Sequence, residues 1–78
     1  MNQRIESLLA KAHLEVMEDL GVIETNVVAE KFAELIVKEC LAQADKMRDG
    51  FEADGEAEQA LGADWAALAI ARHFGVEQ

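Results

Sequence analysis

The chain has 78 residues, 16 of them acidic against 7 Lys or Arg, for a formal charge of −9, and it holds one cysteine. A surface this acidic repels phosphate backbones and anionic lipid headgroups, which disfavours direct nucleic-acid or membrane binding. A lone cysteine cannot close an internal disulfide. The expectation is one helical domain, 1–78. A domain this short buries only about 60% of its extended surface on folding, so homo-oligomerisation is the expected source of added stability. Hydrophobic residues make up 51% of the chain, proline is absent and only 5% is aromatic, which points to an all-α fold. No stretch holds about 20 consecutive apolar residues, and MNQRIES at the start is not followed by a signal-peptide core, so neither a membrane span nor a leader is expected.

Asn2 to Leu20 reads as a first helix, with Ile5, Leu8, Leu9, Ala12, Val16 and Leu20 on one stripe. Gly21 ends it in the left-handed conformation, and Val22 is placed to fold back on the last turn. A short link, Val22 to Asn26, implies an antiparallel neighbour. The central helix, Val28 to Met47, has Thr25 or Asn26 as its N-cap and stops at Gly50-Phe51. Phe32, Leu35, Ile36, Cys40 and Met47 form its main apolar face, with Glu34 and Lys38 opposite. Val37 and Leu41 lie on a flank, and a helix with two apolar faces needs two partners.

FEADGEAEQALGA, Phe51 to Ala63, reads as a loop to about Gly55 and then a short helix from Glu56 to Leu61. Gly62 either ends that helix or is passed through. Asp64 is the expected N-cap of a last helix, Trp65 to Phe74, closed by Gly75-Val76. On a wheel, Ile70, Phe74, Ala66, Ala67 and Ala63 fall on one side, and Leu61, Trp65 and Leu68 nearly opposite. A helix apolar all round is buried, and one short chain cannot cover both sides. Leu61, Trp65 and Leu68 are therefore the expected oligomer interface. The architecture expected is a small bundle of three main helices, with a possible short fourth.

Enzymatic chemistry finds little support. Cys40 falls on the apolar stripe, where desolvation raises a thiol's pKa and packing is the natural role. His13 and His73 belong to no ligand-spaced set, so no metal is expected, and His73 sits in a last turn that favours a cation. DGFEADGEAE superficially resembles a calcium loop. With Gly55 at the loop's glycine position, however, Gly50 and Leu61 fall where carboxylates are required. Phosphate-cradling glycine motifs are absent, and no carboxylate is set in an apolar pocket, so no cofactor and no catalysis are expected.

Two binding surfaces stand out. Arg72 follows Trp65 and Leu68 by two turns and one turn on a single face, and an aromatic plane beside a guanidinium suits a nucleotide. Asp45, Asp49, Glu52, Asp54, Glu56 and Glu58 form an acidic face fitted to a basic protein.

FAELIVKEC (Phe32 to Cys40), HFGVE (His73 to Glu77) and the MN-x-R-I segment (Met1 to Ile5) resemble a family of small uncharacterised proteins of tailed bacteriophages and marine viral metagenomes. The resemblance covers about a third of the chain and transfers no functional residues. It implies a viral accessory protein made in the host bacterial cytoplasm. The leading expectation is a non-enzymatic protein that binds and inhibits a host factor such as a defence component. The alternatives are an oligomeric sponge for a nucleotide immune signal and a small structural or assembly protein of the virion.

Overall fold

The computed structural model describes residues 2–76. Met1 and Glu77, the outer residues of two of the resembling segments, lie outside them. Among the described residues every regular element is helical: α1 (Gln3–Leu20), α2 (Thr25–Ala53) and α3 (Ala57–Phe74). The chain divides into two compact units, Met1–Ile36 and Val37–Gln78. α2 contributes its first part to one and its remainder to the other.

In the first unit, Asn2 caps α1 by accepting the Ile5 N–H at 2.9 Å. That satisfies one of the amides a helix start leaves unpaired. Ala12 and Val16 of α1 are buried against Val28 and Leu35 of α2, with Leu8, Leu9, Val27 and Phe32 packed around them. At the polar edge of this contact the Lys31 ammonium meets Glu15 Oε2 at 3.1 Å. That oxygen is itself shut off from solvent. The hydrogen bond that Lys31 donates to Glu15, followed by the Glu15 charge, raises the Lys31 pKa above its ordinary 10.5.

The expected stripe of α1 stops short of its end, because Leu20 is exposed. Gly21 does take the left-handed conformation, with φ 73° and its N–H bonded to Met17 O at 2.8 Å. Val22, however, does not fold back and is 61% exposed. The N-cap expectation for α2 also shifts. Its first backbone bond runs from the Val28 N–H to Glu24 O, and Thr25 is already helical. Glu24 therefore precedes the helix in place of Thr25 or Asn26.

In the second unit, Leu41 of α2 is buried against Ala67 and Ala71 of α3, with Val37, Ala44 and Val76 packed on the cluster. The flank residues Val37 and Leu41 thus form this core. Cys40, expected on the buried stripe, is exposed. It lies one residue before Leu41, about 100° round the helix from the buried direction. Met47 is exposed as well.

Two further boundaries are corrected. α2 does not stop at Gly50-Phe51 but runs to Ala53. Gly50 has no positive φ; the turn glycine is Gly55, with φ 76°. Glu56 N–H bonds to Phe51 O at 2.8 Å and Gly55 N–H to Glu52 O at 3.1 Å, the paired bonds of a Schellman stop. Gly75 repeats the device through Val76 N–H to Ala71 O and Gly75 N–H to Arg72 O. There the following valine does pack on the core.

α3 passes through Gly62 without a break, so the short fourth helix does not exist as a separate element. Asp64 is not an N-cap but an interior residue, ion-paired to Arg48 at 2.9 Å. Alanine is the strongest helix former and surrounds Gly62 closely enough to carry the helix across it.

Adding a Cβ at Gly50 would meet nothing within 4 Å. Gly50→Ala should therefore raise stability by about 0.5–1 kcal/mol in chemical denaturation. Gly55→Ala, forced into positive φ, should lower it by about 1–2 kcal/mol. A raised folded-state lysine pKa gives stability that is complete below 10.5 and lost as pH climbs through the folded value. The denaturation midpoints of the parent and Lys31→Met should therefore differ by a constant amount below that pH and converge above it.

Candidate functional site

The second unit carries the candidate surfaces, and their layout follows from how α3 packs. Ala60, Ala67 and Ala71 are its buried residues. The larger side chains are left outside, with Trp65 61% exposed, Leu61 56% exposed and Leu68 half-buried. The expected interface residues therefore do form an uncovered stripe. Ile70 and Phe74, expected to share a packed side with Ala63, Ala66 and Ala67, are exposed too. Among that set Ala67 is buried and Ala63 half-buried, so the packed direction lies between the two sides read from the wheel.

Arg72 is exposed one turn beyond Leu68 and makes no ion pair among the described residues. Trp65 stands seven residues away, about 10.5 Å along the helix. That separation gives a nucleotide one apolar wall and one distant cation on a convex helix surface, not a cleft.

The six acidic residues do not act as one free set. Asp45 and Asp49 are held by Arg48. Its Nη1 lies 3.7 Å from Asp45 Oδ1, and its Nε and Nη2 donate to Asp49 Oδ1 at 3.3 and 3.1 Å. The same guanidinium donates through Nη1 to Asp64 of α3 at 2.9 Å. Its hydrogen bonds to Asp64 first, and Asp49 second, push the already high arginine pKa higher still. Arg48 is thus a fixed cation joining α2 to α3. By contrast Glu52, Asp54, Glu56 and Glu58 are all exposed around the turn between the two helices. The Gly55 capping bonds fix this turn, so its carboxylates are presented on an ordered backbone.

The Arg48–Asp64 pair was not foreseen from sequence, since Asp64 looked like a cap. An arginine whose neighbours one and three residues away are both acidic could have flagged Arg48 as a hub. Glu58, seven residues before Trp65, extends the face on which the sequence already places Trp65, Leu68 and Arg72.

The remaining candidates have local partners. His13 Nδ1 donates to the Leu9 carbonyl at 3.0 Å. The His73 ring meets Phe74 edge-on, centroids 4.8 Å apart. Among the described residues no three His, Cys, Asp or Glu side chains gather as a metal site, and no helix is long and apolar enough to cross a membrane. No family model matches the chain, nor does any curated protein or solved structure.

If Arg48 joins the two helices through Asp64, the pair should be coupled. Arg48→Gln and Asp64→Asn should each lower the denaturation midpoint. Together they should lower it by less than the sum of the two, the signature of a shared contact in a double-mutant cycle. Additive losses would mean that the two side chains act independently.

Proposed function

We propose that this chain is a non-enzymatic accessory protein of a tailed bacteriophage that acts in the host bacterial cytoplasm by binding and inhibiting a basic host protein of the defence class. In this reading it works as a homo-oligomer joined through Leu61, Trp65 and Leu68. The observation that carries it is the acidic turn. Glu52, Asp54, Glu56 and Glu58 stand exposed within seven residues, with no cation among them.

Carboxylates so closely spaced repel one another at modest ionic strength, and a basic surface relieves that repulsion on docking. The Schellman bonds at Gly55 hold the turn's backbone, which lowers the ordering cost of binding. Asp45 and Asp49, bound by Arg48, contribute to the field but are less available for direct contact.

Reversing Glu52, Asp54 and Glu56 to Lys together tests the reading without touching the exposed stripe of α3. The parent protein should capture a basic host protein at low salt, release it at high salt, and block its activity. The triple variant should keep its helical content and lose the capture. A triple variant that holds the same partner as tightly would mean that the acidic turn is not the binding face.

A further inference from the structure

The exposed stripe of α3 has an order that goes beyond its greasiness. Glu58, Leu61, Trp65, Leu68 and Arg72 follow one another at steps of three, four, three and four residues. That is the spacing of the first and fourth positions of a heptad, which keeps one seam facing a partner helix. Trp65 stands midway, seven residues from Glu58 and seven from Arg72. An acid closes one end of the seam and a base the other, and the residues between are apolar. The remaining charge of α3 on this side of the chain, Asp64, is already taken by Arg48.

We infer that α3 pairs with α3 of a second copy, antiparallel, about a two-fold axis beside Trp65. This deepens the homo-oligomer reading above and rests on it. A two-fold interface brings the same patch together twice, so the patch must be complementary to itself under reversal. This one is. With the helices antiparallel, the two Trp65 rings meet near the axis and Leu61 of each copy lies beside Leu68 of the other. Glu58 of each copy lies beside Arg72 of the other.

A parallel pair would instead set Glu58 against Glu58 and Arg72 against Arg72, which costs energy at both ends. A second copy is favoured over a basic partner on this face because the seam is formally neutral, with one acid and one base. The acidic turn next to it is the surface that calls for cations. One helix stripe is smaller than the roughly 800 Å² per partner of a standard interface, so the dimer forms in proportion to concentration and is not permanent.

The test follows solution mass by sedimentation, and the emission of the only tryptophan, across a dilution series. The parent protein should pass from dimer to monomer on dilution, with Trp65 emission moving to the red as the ring meets water. Glu58→Arg alone, and Arg72→Glu alone, should each weaken association about tenfold, because each creates two like-charged pairs in the dimer. Combining them restores both ion pairs and should return association to near the parent value.

The rescue cannot come from helix stability. Both reversals oppose the helix dipole, so the double variant has the poorest isolated helix of the three. A protein monomeric at every concentration would overturn the inference and the homo-oligomer reading together. A dimer that ignores the single reversals, or that the double reversal fails to rescue, would overturn the antiparallel register and leave self-association standing.

Discussion

The contact of Leu41 with Ala67 and Ala71 sets the character of the second unit. A helix that presents alanines to its neighbour can approach closely, because the distance between helix axes depends on the side chains at the contact. Van der Waals attraction then accrues between backbones and short side chains, not between long interdigitating ones. The consequence is compositional. α3 uses its small residues inward, and its large apolar residues, Leu61, Trp65 and Phe74, remain outside. The exposed stripe and the alanine core are two results of one choice of packing face.

The same choice explains why Arg48 matters. Among the described residues no polar side chain is buried, so neither unit contains an interior polar network that would fix helix orientation. Alanine contacts alone tolerate sliding of one helix along another, because small side chains offer shallow ridges and grooves. An arginine holding two carboxylates of its own helix and Asp64 of α3 supplies the directional restraint that shape does not. In the first unit Lys31 and Glu15 make the corresponding link between α2 and α1. Pairs this exposed add little energy, but each ties two helices together at a definite point.

Legibility from sequence followed the strength of the local signal. Fold class and helix number came through because the apolar periods of α1 and α2 are long. Gly21 and Gly75 were readable as stops because each follows the last apolar residue of a stripe. Gly50 and Gly62 misled for a definite reason. A glycine marks a helix end only when the next residues can complete the capping bonds, and at Gly50 the chain continues into helix-competent Phe51, Glu52 and Ala53. The stripe of α2 was misjudged at Cys40 because its wheel was read as one face along the whole helix. The buried residues that follow, Val37, Leu41 and Ala44, belong to the second unit's core. Which side of α3 packs was not legible, since an alanine-rich helix shows no contrast between a core side and a solvent side. A periodicity argument looks for large residues, and here the packed side is marked by small ones.

Charge, finally, is distributed in a way that bears on recognition. Glu52, Asp54 and Glu56 stand ahead of α3, while the exposed stripe of α3 starts with a fourth carboxylate, Glu58, and carries one base, Arg72, in its last turn. Coulomb attraction and apolar burial respond differently to solution conditions: added salt screens the first within about a Debye length and strengthens or leaves intact the second. The acidic turn and the apolar stripe therefore respond to salt in opposite senses, with Glu58 common to both. Neighbouring surfaces can differ in the kind of force each offers. The single glycine turn at Gly55, which ends the acidic stretch of α2 and sets the start of α3, is where that division falls.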